Sequence, residues 1–166
     1  METRMQPTTE TSEQELVIER TFDAPRKLVW EAWTQPERVR VWWGPKHFIT
    51  PVYEIDLRVG GKFLLCMRSP EGQEIWGTGV YREIVPQERI VATDNFADAE
   101  GRVVPASYYG MKADYSQEMV YTVMFKEQGG KTRLTLKYVG IPPGEDLEMA
   151  QDGWIQSLDK LAEYLK

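Results

Sequence analysis

The amino-acid sequence predicts an α+β helix-grip fold, in which a curved antiparallel sheet of six or seven strands wraps around a long C-terminal helix. Three observations predict this fold. A β-rich segment leads directly into two short helical segments, a run of strand-like segments separated by turn signals follows, and an amphipathic helix of about six turns ends the chain. Only this last helix is long enough to lie across the strands, so we expect it to cover one face of the sheet.

The first strand is predicted over Leu16–Phe22, a segment rich in β-branched and aromatic residues. Asp23-Ala24-Pro25 ends the strand and suits the first turn of a helix, whose apolar positions recur at helical spacing. Pro36 opens a second short helix that extends to Trp42-Trp43, where Gly44-Pro45 stops it. Two short helices are therefore expected after the first strand.

Six more strands follow, and most are separated by Gly- and Pro-containing turns typical of hairpins, which indicates a mostly antiparallel meander. These strands are predicted over Val52–Val59, Lys62–Arg68, Glu74–Val85, Arg89–Phe96, Met119–Lys126 and Thr132–Val139. Pro142-Pro143-Gly144 closes the last strand. The final helix is predicted over Glu145–Lys166, because Trp and Leu residues recur there every three or four positions.

The chain has 166 residues, which corresponds to one domain, and we place that domain at residues 15–166. Residues 1–14 are polar, rich in Thr and Glu and without apolar periodicity, so we expect a disordered tail there. The sequence contains neither the pattern of a signal peptide nor an apolar run that could span a membrane. The predicted location is therefore the cytoplasm.

Composition excludes several classes of function. The net charge of −6 gives no general attraction to phosphate backbones, so we expect no nucleic-acid partner. One cysteine, Cys66, and one histidine, His47, exclude internal disulfides and Cys/His zinc sites. Glycine-rich nucleotide loops and the motifs of metalloproteases and serine hydrolases are also missing from the sequence. We accordingly predict no metal site and no cofactor.

Four sequence blocks, in order, carry a family resemblance. They are Phe22-Asp23-Ala24-Pro25 followed by Val29-Trp30-Glu31-Ala32-Trp33-Thr34, then Trp42-Trp43-Gly44-Pro45, then Asp56-Leu57-Arg58-Val59-Gly60-Gly61, and last Gly153-Trp154 ahead of Leu158-Asp159-Lys160-Leu161. The chain resembles a bacterial START-like domain related to the activator of the heat-shock ATPase, within the SRPBCC (Bet v allergen-like) superfamily. This resemblance implies a helix-grip fold with a cavity between sheet and long helix, and either apolar ligands or protein partners. It carries no catalytic residue.

We expect the cavity to be lined by inward-facing strand residues, by the final helix, by the two-tryptophan turn and by the link that follows the fifth strand: Trp43, Phe48, Phe63, Leu65, Met67, Tyr81, Met111, Tyr121, Trp154 and Leu158. Trp43 either forms a lid of the cavity or wedges the short helices onto the sheet. Gly77 and Gly79 leave space on one strand face, which either a helix side chain or a ligand fills.

The link over residues 97–117 departs from the family pattern by its length. It contains Ser107-Tyr108-Tyr109-Gly110-Met111, and aromatic and Met residues favour a segment that packs. Three alternatives stay open: a flap over the cavity, a contact with a second subunit in a homodimer, or a partly mobile insertion.

Three functions follow, in this order. The first is non-enzymatic binding of an apolar or aromatic small molecule or lipid between the sheet and the C-terminal helix. The second is a protein-interaction module with a chaperone as partner, which the resemblance implies. An enzyme of the cyclase or hydrolase type, using His47 or a buried carboxylate, ranks last.

Overall fold

The computed structural model describes residues 15–111 and 118–166, and it confirms the predicted α+β helix-grip fold. The predicted tail at residues 1–14 lies outside the described residues. Within the described part, the elements in chain order are β1 (Glu15–Phe22), α1 (Arg26–Thr34), α2 (Pro36–Trp42), β2 (Ile49–Ile55), β3 (Lys62–Arg68), β4 (Glu74–Val85), β5 (Arg89–Ala97), a short 3-10 helix (Ala106–Tyr109), β6 (Met119–Gln128), β7 (Lys131–Val139) and α3 (Glu145–Tyr164).

All seven strands form one curled antiparallel sheet in the order β1-β7-β6-β5-β4-β3-β2. Strands β2 to β7 are a meander, and β1 pairs with β7 from Glu15 opposite Val139 to Phe22 opposite Thr132. Strands β1 and β2 therefore lie at opposite edges of the sheet although they are neighbours in sequence. Helices α1 and α2 connect these two edges.

Strand β2 begins and ends earlier than the sequence predicts, over Ile49–Ile55 instead of Val52–Val59. Pro51 is tolerated because β2 is an edge strand whose pairing register with β3 shifts at that point. The strand ends because residues 56–61 form a tight turn toward β3. A Cβ atom at Gly61 would lie 2.1 Å from the carbonyl oxygen of Asp56, so this turn requires glycine.

The aromatic residues of α1 and α2 pack against the sheet. The Trp30 ring meets Phe125 of β6 edge-on at a centroid distance of 5.3 Å. Trp42 is fully buried, and its indole N–H donates a hydrogen bond of 2.9 Å to the carbonyl oxygen of Ala32. Trp42 therefore joins the two short helices and has a structural role.

Helix α3 is most deeply buried along its C-terminal half. Its buried residues are Ser157, Leu158 and Leu161, and none precedes Ser157. The C-terminal half is also held by Arg38 of α2, whose guanidinium donates to the Tyr164 hydroxyl at 3.0 Å. The half of α3 before Ser157 is only partly buried, and its residues Leu147, Ala150 and Trp154 pack against the core.

The described part of the link after β5 packs against the strand ends. The Tyr109 hydroxyl accepts a hydrogen bond from the backbone N–H of Trp76 in β4 and donates one to the carbonyl of Ala97 in β5. It thereby bridges the ends of both strands. Cys66 is buried on the sheet face opposite Phe63, and burial raises the pKa of its thiol. None of the helices among the described residues is long and apolar enough to cross a bilayer.

Candidate functional site

A cavity of about 340 Å³ lies between the sheet and the N-terminal half of α3. Its walls come from the turn after α2, from β3 to β7, from the segment after the 3-10 helix and from α3. The lining residues are mostly hydrophobic: Trp43, Gly44, Pro45, Leu65, Met67, Ile75, Trp76, Gly77, Asp94, Asn95, Phe96, Met111, Met119, Tyr138, Ile141, Asp146, Met149, Ala150, Gly153, Trp154 and Ser157. The space that the family resemblance implies is therefore present.

Small residues on both walls keep this volume open. Gly77 of β4 and Ala150 and Gly153 of α3 all line the cavity, and none of the three has a side chain larger than a methyl group. Gly79 has a different role, because a Cβ atom there would lie 2.5 Å from the Phe63 ring and 1.9 Å from a backbone oxygen. Of the two glycines that the sequence analysis placed on one face, one borders the cavity and the other allows close packing.

The turn Trp43-Gly44-Pro45 forms one lip of the cavity and is fastened to α3. The ammonium group of Lys160 donates to the carbonyl oxygens of Gly44, Pro45 and Phe48 at 3.1 to 3.3 Å, and burial lowers the pKa of this amine. These three hydrogen bonds from one side chain hold the turn against the helix. The lip is therefore a fixed part of the cavity wall.

Trp43 combines both roles that the sequence left open. Its side chain is 7% exposed and lines the cavity, yet its ring also meets Trp33 and Tyr53 edge-on at 6.0 and 5.2 Å. Trp154 of α3 meets it edge-on as well, at 5.0 Å. The indole is both a wedge in the core and a surface of the cavity.

One polar residue of the cavity lining, Asp94 of β5, is hydrogen-bonded to another, Tyr138. The Tyr138 hydroxyl on β7 donates a hydrogen bond to Oδ2 of Asp94. Burial raises the pKa of the Asp94 carboxyl to about 7, although the hydrogen bond from Tyr138 acts in the opposite direction. Asn95 and Ser157 also border the cavity. A ligand would thus meet mostly apolar walls with a few polar groups, among them the Asp94–Tyr138 pair and Asp146 of α3.

The structure brings together five of the ten residues expected at the cavity. Trp43, Leu65, Met67, Met111 and Trp154 line it, whereas Phe48, Phe63, Tyr81, Tyr121 and Leu158 lie outside its lining. The last four are at most 3% exposed and belong to the core, where the Phe63 ring packs against Tyr81 and Tyr121. Phe48 is half-buried and contributes its backbone carbonyl to the Lys160 contact.

The sequence analysis did not single out Asp94, although the alternation pattern of β5 indicates that this residue faces inward. In β5, Ile90 and Ala92 are buried residues of the core, and two-residue alternation puts Asp94 and Phe96 on the same inward face. His47, the histidine considered for acid–base chemistry, is exposed and lies outside the cavity lining. Among the described residues there is no cluster of His, Cys, Asp and Glu that could hold a metal ion.

Comparison with known proteins agrees with this architecture. A crystal structure of a protein from Chromobacterium violaceum is 30% identical, with a TM-score of 0.76 over 91% of this chain and 96% of that one. A protein from Rhizobium leguminosarum is 27% identical, with a TM-score of 0.69 over 92% of this chain and 94% of that one. The AHSA1 protein from Silicibacter pomeroyi is 24% identical, with a TM-score of 0.69 over 92% and 97%, and shares the fold.

No curated protein sequence matches the chain. The family model described as Activator of Hsp90 ATPase homolog 1-like protein matches residues 23–166, which is nearly all of the described part of the chain. The chain therefore belongs to this family within the SRPBCC superfamily, and its membership supports a ligand-binding or interaction module in general.

Proposed function

We propose that the protein binds a small apolar or aromatic molecule, without catalysing a reaction, in the cavity between the sheet and α3. The observation that carries this proposal is a cavity of about 340 Å³ with predominantly hydrophobic walls that include three indole rings. Ligand sites in proteins are of this kind: concave, mostly apolar and equipped with few polar groups.

The size of the cavity supports a ligand of one or two rings. Its volume of about 340 Å³ lies at the lower end of the range of roughly 300–1,000 Å³ found for small-molecule sites. Affinity would come from apolar surface removed from water, at about 25 cal/mol per Å², reduced by the entropy lost on association. Trp43, Leu65, Met67, Met111 and Trp154 are the residues that we propose to contact the ligand.

Partial burial of the N-terminal half of α3 supports reversible access. Met149 lines the cavity and is 65% exposed, so it stands at the boundary between cavity and solvent. Buried side chains in α3 begin only at Ser157. A ligand could therefore enter through a displacement of the first turns of α3, while the C-terminal half stays packed.

A steric block tests the proposal. The probe is 1-naphthalenemethanol, and its binding is followed by isothermal titration and by the fluorescence of the cavity tryptophans. Ala150→Phe places a ring in the cavity, whereas Gln151→Phe places the same ring on the exposed face of the same helix. We expect wild type and Gln151→Phe to bind the probe alike and Ala150→Phe to bind it at least about tenfold more weakly. Equal binding by both variants would argue against the cavity as the site.

Contact with a chaperone remains the alternative function. It rests on the family name, whereas the cavity is a feature of this chain's own structure. The same two variants separate the alternatives, because a surface contact should respond to Gln151→Phe no less than to Ala150→Phe. We rank ligand binding first because the cavity is present in this chain's own structure.

A further inference from the structure

Asp94 places a carboxyl group on an otherwise apolar wall. It follows Ile90 and Ala92 on the inward face of β5, and Phe96 continues that face. Position 94 is paired with Met119 of β6, another lining residue. The carboxyl group is surrounded by protein, and the part of Asp94 that remains exposed belongs to the cavity wall.

The hydrogen bonding of Asp94 is incomplete. Within the described residues, the only side chain that hydrogen-bonds to its carboxyl is Tyr138, which donates to Oδ2. Oδ1 has no such donor, and the carboxyl forms no ion pair with any described Lys, Arg or His. A carboxylate has about four acceptor positions, and an enclosed one that lacks a counter-charge is unfavourable until a donor reaches it. One oxygen is therefore left for a ligand.

The charges around Asp94 favour a cation. Among the described lining residues there is no Lys, Arg or His, and the other ionisable group besides Tyr138 is a second carboxylate, Asp146 in the first turn of α3. Burial, and to a smaller extent the charge of Asp94, raises the pKa of the Tyr53 and Tyr121 phenols well above its ordinary value, so they stay neutral. The described lining of the cavity thus contains acidic side chains and no basic one.

The aromatic walls suit the same kind of ligand. The rings of Trp43, Trp154 and Phe96 border the cavity, and a cation over an aromatic face gains roughly 0.5–2 kcal/mol. A neutral ligand would use only the apolar part of these rings. A ligand with both an apolar body and a positive charge would use the rings and the carboxylate together.

We infer that the cavity selects small hydrophobic amines, whose protonated nitrogen donates a hydrogen bond to Oδ1 of Asp94 while the apolar body packs between the indoles. This inference rests on the proposed ligand-binding function and names the chemical class of the ligand. The nitrogen would stand where the unpaired oxygen faces the cavity, and Tyr138 would hold the other oxygen in place.

Three probes with one ring system test the inference: 1-naphthylmethylamine, 1-naphthalenemethanol and 1-naphthoic acid. Their affinities are measured by titration calorimetry at about pH 8, where the amine is charged and Asp94 is ionised. We expect the amine to bind at least about tenfold more tightly than the alcohol, and the acid to bind most weakly. The naphthalene body is common to all three, so the ratios report the polar group alone.

Two variants assign the preference to Asp94. Asp94→Asn keeps the shape of the side chain and should abolish most of the preference for the amine over the alcohol. Asp146→Asn is the matched control, because it removes the other carboxylate of the lining and should leave most of the preference intact. In the wild-type protein, the preference should also decrease between about pH 8 and about pH 5.5, because Asp94 takes up a proton while the amine keeps its own.

Each contrary result has a distinct meaning. Equal binding of amine and alcohol by the wild-type protein would overturn the amine inference and leave ligand binding standing. Loss of the preference in Asp146→Asn but not in Asp94→Asn would overturn the role of Asp94. Failure of all three probes to bind would contradict the proposed function itself.

Discussion

Replacement of Asp94 by Asn is expected to stabilise the protein at neutral and alkaline pH and to leave its stability unchanged in acid. Burial raises the pKa of the Asp94 carboxyl to about 7 in the folded protein, against an ordinary value of 3.8 in an unfolded chain. Between these two pH values the folded state holds a proton that the unfolded state has lost. The wild-type protein therefore loses stability as the pH rises from about 4 to about 7.

The size of the effect follows from the two pKa values. Their difference, from 3.8 to about 7, is worth about 4 kcal/mol at 1.36 kcal/mol for each pH unit. Asn resembles the protonated acid and can still accept the hydrogen bond from Tyr138. We thus expect Asp94→Asn to be more stable than wild type by up to about 4 kcal/mol above pH 7, and equally stable below pH 4.

Urea unfolding at a series of pH values measures this difference, with fluorescence and circular dichroism as probes. Asp98→Asn is the control, because its effect on stability at neutral pH should be opposite to that of Asp94→Asn. Hydrogen bonds, above all from the backbone N–H of Arg102, hold the pKa of the Asp98 carboxyl below its ordinary value. That variant should be destabilised at neutral pH and should approach wild type as the pH falls. A constant stability gap between Asp94→Asn and wild type across the series would refute the reasoning.

Further substitutions test the packing around the cavity. Lys160→Met removes three hydrogen bonds to the lip and should lower the free energy of unfolding by about 2 kcal/mol in urea, while releasing the lip to hydrogen exchange. Gly153→Ala should stabilise the helix by about 0.5–1 kcal/mol, because Ala is preferred over Gly inside a helix and its Cβ would only be in ordinary contact with Pro45 of the lip at 3.4 Å. Slower hydrogen exchange in residues 145–152 would verify this. Gly79→Ala should lower the free energy of unfolding by about 3 kcal/mol or prevent folding, since its Cβ would lie 2.5 Å from the Phe63 ring. Trp43→Ala should weaken naphthalenemethanol binding and also cost about 3–5 kcal/mol of stability, so unchanged probe affinity in a folded variant would contradict its place in the wall.

Most of the fold was predictable because each element carries its own periodicity. Strand β3 was predicted with the bounds Lys62–Arg68 that the structure has, since turn residues flank it on both sides. Strand β2 was misplaced because Pro51 argues locally against a strand, and only its position at the sheet edge makes it acceptable. An edge position depends on the pairing of distant strands, which local patterns do not contain.

The cavity was predictable as a region but not residue by residue. Alternation placed Phe63, Leu65 and Met67 on one face correctly, yet only Leu65 and Met67 reach the cavity, because the Phe63 ring is buried among tyrosines of the sheet. How closely a helix packs against a sheet depends on the tertiary contacts between them. Asp94 could have been found, since it interrupts the inward face of an apolar strand, and a polar residue in that phase indicates a buried site.

The uneven packing of α3 separates two kinds of substitution within one helix. Changes at Leu158 or Leu161 act on the whole domain, because these side chains are fully enclosed. Changes at residues 146–154 alter the shape and polarity of the recess, while the buried anchor further along the helix stays as it is. Evolution can therefore retune what such a domain accepts without rebuilding its framework, and proteins with the same topology at 24–30% identity need not share a ligand.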